Sequence, residues 1–364
     1  MKTVLIYLPN LNCGGAESVT VRFANYLADN GYLVKLVTSI GDGILKSSLN
    51  SKIEHTSLGL KNQWYTLFKM PSIIKKTQPD IIFTTMKESC FIMILSKYLG
   101  LSKAKMVIRE ANTISLQLRE ENKFHQKIKN YFIKKSYHFA DEIIALSEEI
   151  KTDLIKTFKI SKKINVIPNP IDFHRIAVAV NEPTDKRLII DKRTLKIVTV
   201  ARLYPQKNHL FMVEAIAEYI KKYGDVKWYL VGDGPLHDTI KVKADELGIL
   251  DNVIFMGFQK NPISIVNSCD IFVLPSLYEG FSNALLEAAA LNKKIMVSDT
   301  QTTSVAFLKK LETGISYQSN CINDFCDKLK TLTTKNDSND ISLRMRNIYD
   351  ESIIFDSYML LMSN

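Results

Sequence analysis

Long apolar runs are missing from this chain of 364 residues. The longest candidate, Cys90 to Leu101, is already broken by Ser96 and Lys97, and a membrane-spanning helix needs about 18 or more consecutive apolar residues. Paired cysteines are missing too. The five present stand at 13, 90, 269, 321 and 326 with no CxxC spacing, which gives neither a disulfide framework nor a zinc site and suits a reducing cytoplasm. The opening apolar run Val4 to Leu8 is too short for a signal peptide and leads straight into a Gly-Gly loop. No helix-turn-helix or zinc-finger signature accompanies the net charge of +10, so nucleic acid is not the expected partner. That charge points instead to anionic lipid or phosphorylated substrates. Asp-x-Asp, a pairing able to hold a divalent cation, occurs nowhere.

What is present is a two-fold grammar. Length alone suggests two domains, at roughly 100–200 residues each. The first half opens with Lys2 to Leu8, an apolar run bounded by Pro9 and Asn10 that reads as a buried parallel strand. A helical pattern over Ser18 to Asn30 follows, with Val19, Phe23, Leu27 and Ala28 on one face and Gly31 placed to end it. Further strands are expected at Leu33 to Thr38, Ile81 to Thr85, Lys105 to Arg109, Glu142 to Leu146 and Ile164 to Ile167. Pro168-Asn-Pro170 and the polar stretch Asn181 to Arg193 interrupt the pattern. It restarts with strands at Leu195 to Ala201, Lys227 to Gly232, Val253 to Met256, Ile271 to Leu274 and Lys294 to Ser298, with helices between them. The polar stretch Thr331 to Asp340 reads as a loop. Alternating strands and helices imply α/β folding with parallel sheets. Ligands of such sheets sit beyond the carboxyl ends of the strands, so two such domains facing each other would hold a site in the cleft between them.

Several stretches stand at those strand ends: Gly14-Gly-Ala-Glu17, Val166-Ile-Pro-Asn-Pro-Ile-Asp172, Ala201-Arg-Leu-Tyr-Pro-Gln-Lys-Asn208, Val231-Gly-Asp-Gly-Pro235, and Glu279 followed eight residues on by Glu287. Each alone is weak. In this order, along nearly the whole chain, they resemble the family-four retaining glycosyltransferases with the GT-B fold. The resemblance implies two Rossmann-like doubly wound domains, residues 1–170 on the acceptor side and 171–345 binding a nucleotide sugar, with a final helix in 346–364 crossing back to the first domain. It implies transfer of a sugar from a nucleotide diphosphate to an acceptor hydroxyl, with no metal required.

The physical requirements fit those residue types. A nucleotide sugar breaks when its diphosphate leaves with the bonding electrons, and the leaving group needs positive charge and N–H donors fixed beforehand. Arg202 offers a planar fork for phosphate and Lys207 a compact point charge, although both could equally be surface cations on a loop. Gly280, Phe281 and Ser282 lead into a helix starting near Asn283, and a helix N-terminus attracts an anion. Through the resemblance, this segment meets the donor, and Glu279 hydrogen-bonds sugar hydroxyls near the reacting carbon. Glu287 grips the ribose, unless it merely pairs with a nearby cation. Gly14 and Gly15, and Gly232 in its turn, are donor-binding positions on the same basis. In the first domain many relatives carry a His where this chain has Arg109 and Glu110; Arg109 contacts acceptor or sugar, or else forms a structural ion pair.

Between Asn122 and Ala140 stand Lys123, Lys127, Lys129, Lys134 and Lys135, interleaved with Phe124, Ile128, Tyr131, Phe132, Ile133, Tyr137 and Phe139, with no acidic residue. Lys61 to Lys76, with Trp64, Phe68 and Met70, is a second such segment. Basic helices bearing aromatics can lie on anionic lipid, although an apolar face can also be core. The resulting expectation is a cytoplasmic enzyme, peripheral on the inner face of the cell membrane. Its donor is a nucleotide-diphosphate sugar, with uridine favoured, and its acceptor is a lipid-linked saccharide or oligosaccharide of a surface polysaccharide or glycan. The alternatives are a GT-B nucleotide-sugar epimerase and a non-catalytic nucleotide-sugar-binding partner. Asn292, where the family usually has Gly, and Gln301-Thr-Thr-Ser304 depart from the family pattern.

Overall fold

A computed structural model describes the chain except residues 13, 42, 121–123, 183–184, 189–193, 335–339 and 364, and except the side chains at 117, 119, 120, 124 and 125. Cys13, Lys123, the Phe124 side chain, part of the polar stretch 181–193 and part of 331–340 therefore lie outside the described residues. The chain divides into two compact units, Met1–Pro170 with Ser352–Asn364, and Ile171–Glu351.

The first unit runs β1 (Thr3–Leu8), α1 (Gly15–Asp29), β2 (Leu33–Thr38), β3 (Glu54–Ser57), α2 (Thr66–Thr77), β4 (Ile81–Thr85), α3 (Lys87–Leu99), β5 (Lys105–Glu110), α4 (Ile114–Glu120), α5 (Phe124–Ser136), β6 (Glu142–Ala145), α6 (Glu148–Phe158) and β7 (Ile164–Val166). Its seven strands lie in the order β3-β2-β1-β4-β5-β6-β7, all parallel. Covered by helices, β1 and β4 are buried almost end to end, which is why they read as unbroken apolar runs. Ser147 starts α6 by accepting from Ile150 N–H at 3.2 Å, a common N-cap.

The second unit runs α7 (Phe173–Ala179), β8 (Leu195–Val200), α8 (His209–Tyr223), β9 (Val226–Val231), α9 (His237–Glu246), β10 (Val253–Gly257), α10 (Ile263–Ser268), β11 (Ile271–Leu274), α11 (Asn283–Ala290), β12 (Lys294–Ser298), α12 (Thr302–Leu311), β13 (Ile315–Tyr317), α13 (Ile322–Thr334) and α14 (Ser342–Tyr349). The strands form a parallel sheet in the order β10-β9-β8-β11-β12-β13. Its core gathers Trp228, Met212, Ile216, Phe325 and Leu329.

The chain ends in α15 (Glu351–Ser363), most of which belongs to the first unit. There Phe23 lies 5.1 Å, ring to ring, from each of Phe83, Phe355 and Tyr358. Three elements differ from the sequence expectation. The polar edge strand β3 and the three-residue β13 carry too little apolar pattern to read. Thr331 to Thr334 are the last turn of α13 rather than loop.

Candidate active site

In the second unit, the carboxyl ends of the adjacent strands β8, β9 and β11 gather most of the expected residues. After β8 the chain makes a tight turn, with Lys207 N–H donating to Tyr204 O at 2.9 Å. The turn is tied to the loop after β11 twice: Leu277 N–H donates to Gln206 O at 2.9 Å, and the Gln206 amide donates to Tyr278 O at 2.8 Å. These bonds bring the Lys207 ammonium onto the Glu279 carboxylate, and Ser276 donates its hydroxyl to the same Oε1 at 2.9 Å. Both members of the pair are largely buried, at 13% and 12% side-chain exposure. Arg202 is exposed, its guanidinium 5.2 Å from the Tyr204 ring centre. A cation in reach of solvent thus stands one short turn from a cation already held by a carboxylate.

Gly232 explains how these ends come so close. Its φ is +138°, and a β carbon there would fall 1.9 Å from Ala201 O. Any side chain would push the ends of β8 and β9 apart. On the far side, Ser282 caps α11, accepting from Leu285 N–H at 3.4 Å. Gly280 and Phe281 are buried before it. The Phe281 ring packs edge-on to Phe307 and Tyr349 at 5.6 and 6.2 Å, which leaves its backbone rather than its ring to meet a ligand. Asn283 opens the helix and Glu287 lies one turn on. Arg175 of α7 reaches Glu287 Oε1 at 3.5 Å. Arg175 also lines a cavity of about 710 Å³ with His174, Glu182, Gln259, Lys260 and Asn261.

In the first unit, Gly14 immediately precedes α1 and Gly15 is the first residue of that helix. Ser18 N–H donates to Gly14 O at 2.9 Å, and a β carbon on Gly14 would meet the Glu17 carboxylate at 2.1 Å. Arg109 is 1% exposed. Its guanidinium donates to Tyr358 OH at 3.0 Å, to Thr85 Oγ1 at 3.3 Å and to Asn169. This geometry gives Arg109 the task of joining β5, the Pro-Asn-Pro segment and α15. An ion pair with Glu110 is not how it is held.

Two family models match the chain, Glycosyltransferase Family 4 over residues 13–175 and Glycosyl transferases group 1 over residues 180–348. Together they span both units. The chain is a family-four, group 1 glycosyltransferase. It is similar to the N-acetylgalactosamine-N,N'-diacetylbacillosaminyl-diphospho-undecaprenol 4-alpha-N-acetylgalactosaminyltransferase of Campylobacter jejuni, 25% identical over 91% of this chain and 90% of that one. A UDP-Gal:alpha-D-GlcNAc-diphosphoundecaprenol alpha-1,3-galactosyltransferase of Escherichia coli is 32% identical over 56% of this chain and 54% of its own. Among solved structures, Anabaena Alr3699/HepE in complex with UDP-glucose superposes with a TM-score of 0.78 at 15% identity, covering 100% of both chains. This glycosyltransferase therefore has the GT-B fold and belongs with the hexosyltransferases.

Some supporting residues of the glycosyltransferase escaped the sequence reading. His209 faces Arg202 O with Nε2 at 3.3 Å, bracing the turn that carries the cations. Burial pushes its pKa down to about 4, with the nearby Lys207 charge acting in the same direction and the Arg202 contact opposing. Gln301 donates to Leu274 O at 2.7 Å and accepts from the Ser304 hydroxyl at 3.2 Å, fixing the end of β11. Asn292 adopts φ +54°, a left-handed position that Gly or Asn fills readily. It also binds Asp340 at 2.8 Å. Both departures from the family pattern thus have structural work to do. Proximity to the motif was the only signal for His209, and Gln301 stood out only as a departure from the family pattern, with no sign of its bonds to Leu274 and Ser304.

The basic-aromatic segments of the glycosyltransferase divide by face. Ile133, Tyr137 and Met70 are core. Ile128, Tyr131, Phe132, Phe139, Tyr65 and Phe68 are exposed, Phe68 at 83%. Tyr98 from the end of α3 adds to this surface, its ring 5.4 Å from Phe139. Lys127 and Lys135 are exposed, while Lys129 binds Glu88 at 3.4 Å and lies 6.0 Å from the Trp64 ring. Among the described residues no helix is long and apolar enough to cross a membrane.

Proposed function

We propose that this enzyme moves a hexose or N-acetylhexosamine from a UDP-sugar to a lipid-linked saccharide, with retention of anomeric configuration, in surface polysaccharide or glycan assembly. The observation that carries the reading is the contact of Lys207 with Glu279 beside exposed Arg202. It supports the reading because a cation suited to phosphate stands against a carboxylate suited to sugar hydroxyls. The two undecaprenol-linked relatives and the UDP-glucose-bound neighbour support the choice of acceptor and donor.

In this scheme Arg202, Lys207 and the N–H groups at the start of α11 hold the diphosphate, doing the work a divalent cation does elsewhere. Glu287 accepts the ribose hydroxyls, displacing Arg175, and the nucleobase lies toward the cavity that Arg175 lines. Gly14 and Gly15 let backbone approach the donor, and Glu279 fixes the sugar. The bond from the anomeric carbon to the diphosphate oxygen breaks as the acceptor oxygen attacks from the same face. The acceptor's proton passes to the departing phosphate oxygen. No carboxylate need form a covalent intermediate. The exposed face of α5 with Phe139 and Phe68 rests on anionic lipid at the inner surface of the cell membrane, bringing the acceptor's lipid anchor to the first unit.

The test is a panel of UDP-, GDP- and ADP-sugars incubated with undecaprenyl-diphosphate-linked saccharides, scored for nucleotide release and glycolipid product. A UDP-sugar that gives product supports the reading. Product only from another nucleotide overturns the donor, and product only on soluble acceptors overturns the lipid-linked acceptor.

A further inference from the structure

Glu110 ends β5, beside Arg109, yet the two side chains do different things. Successive strand residues point to opposite faces, and Glu110 turns away from the partners of Arg109. Its Oε1 accepts from the backbone N–H groups of Ala111 at 3.1 Å and Asn112 at 3.2 Å. Its Oε2 accepts the Tyr137 hydroxyl at 2.7 Å. Glu110 is 1% exposed and Tyr137 is fully buried. Tyr137 opens the 3-10 turn Tyr137–Phe139 that directly follows α5. One carboxyl group therefore fastens the loop leaving the carboxyl end of β5 to the end of the helix that carries the exposed basic-aromatic face.

We propose that Glu110 is a positioning residue for the acceptor, holding the loop 111–113 and α5 as one body so that the acceptor's headgroup and its lipid anchor are presented together. This rests on the reading that the first unit binds a lipid-linked acceptor. The carboxyl ends of strands in such a sheet are where ligands are met, and a buried carboxylate is costly to keep without a purpose a neutral side chain could not serve.

The groups facing Glu110 are Glu88 and Cys90 from α3 and Tyr137 after α5, while the ammonium groups of Lys129 and Lys87 reach Glu88 at 3.4 and 3.7 Å. Burial first, with help from the Glu88 charge, pushes the Glu110 pKa up to about 7, against the pull of Tyr137 and the two N–H donors. Burial likewise drives the Cys90 thiol and the Tyr137 phenol upward, so both stay neutral. Ionised, Glu110 receives three donors and the tie is tight. Protonated, it keeps its proton between Oε2 and Tyr137, and the tie slackens.

The experiment is a pH series from 5.5 to 9 of kcat and of KM for donor and acceptor separately, in the full-length protein with a UDP-sugar and a lipid-linked acceptor. Wild type, Glu110→Gln and Tyr137→Phe are compared, with hydrogen exchange of residues 111–113 and 131–139 recorded alongside. In the wild type, acceptor KM falls as pH rises through about 7 and donor KM stays flat. Glu110→Gln imitates the protonated form, removes that limb and holds acceptor KM between about 10- and 100-fold high, the range expected for small misplacement. Tyr137→Phe removes a donor to the charge, so the limb moves to higher pH and both segments exchange faster together. A Glu110→Gln enzyme that keeps the limb, equal changes in both KM values, or segments that exchange independently would overturn the proposal. A wild type that transfers sugar only to soluble acceptors fails the underlying acceptor reading instead, and is recognised by that result in the parent alone.

Discussion

The Lys207 ammonium rests on the Glu279 carboxylate, one from the turn after β8 and the other from the loop after β11. The two strands are sheet neighbours, so the pair closes the gap between their loops. In the proposed mechanism Lys207 also serves the diphosphate, and the pair keeps it aimed before the donor arrives. Lys207→Ala and Arg202→Ala should each lower kcat on the order of 10²–10³, as removal of one preorganised charge stabiliser does. Circular dichroism should show both variants folded. A double-mutant cycle between Lys207→Ala and Glu279→Gln should be non-additive by about 1–3 kcal/mol. Additive losses would mean the two side chains act independently.

In the proposed mechanism Glu279 holds the sugar rather than attacking it. Glu279→Gln should lower the rate severely, and mass spectrometry of wild type and variant under turnover should find no sugar attached to position 279. A glycosyl adduct there in the wild type would replace same-face displacement with a two-step covalent route.

The exposed aromatic face of α5 should give measurable lipid affinity. Replacing Lys127 and Lys135 with Gln should weaken binding to vesicles rich in anionic lipid by about 1 kcal/mol for each lysine near the surface. Phe132→Ser should weaken it further without unfolding the protein, because Phe132 is 52% exposed. Lys129→Gln should matter less, since Lys129 is engaged with Glu88. Vesicle flotation that does not respond to these changes would leave the face without its proposed role.

His209 makes the second unit sensitive to acid. Its pKa is depressed in the folded state, to about 4. Its contribution to stability is therefore complete above the unfolded value near 6.5 and is lost as pH falls from there toward 4. The effect is on the order of 3 kcal/mol for a shift of this size. Urea unfolding followed by Trp228 fluorescence in a Trp64→Phe background should show stability falling across that window. His209→Gln should flatten the slope while keeping a donor toward Arg202 O. An unchanged slope would assign the acid sensitivity to another group.

The parallel sheets were legible because their central strands are buried on both faces and spell continuous apolar runs, as β1 and β11 do. Edge strand β3, with the sequence Glu54-His-Thr-Ser57, carries no such pattern, since its side chains are polar and largely exposed; its backbone pairing to β2 is joined by the Lys35–Glu54 ion pair at 2.9 Å and the Thr38–His55 contact at 3.1 Å. The cationic turn and both glutamates were legible as types at fixed spacing. The contact of Lys207 with Glu279 was not, because it spans 72 positions. Arg109 shows the opposite limit. Its charge suggested ligand contact, but three neutral oxygen acceptors supplied from Thr85, Asn169 and Tyr358 occupy its fork. Only the folded arrangement reveals those partners. Glu110 was invisible as anything but a neighbour of Arg109 until its buried bond to Tyr137 appeared.

The central claim is that fixed protein charge, rather than a metal or a covalent carboxylate, carries a retaining transfer. The most direct measurement is NMR of the glycosidic product formed from an anomerically pure UDP-sugar in excess EDTA. The account predicts that product forms under chelation and keeps the donor's anomeric configuration. An inverted product, or no product until magnesium or manganese is restored, would contradict it.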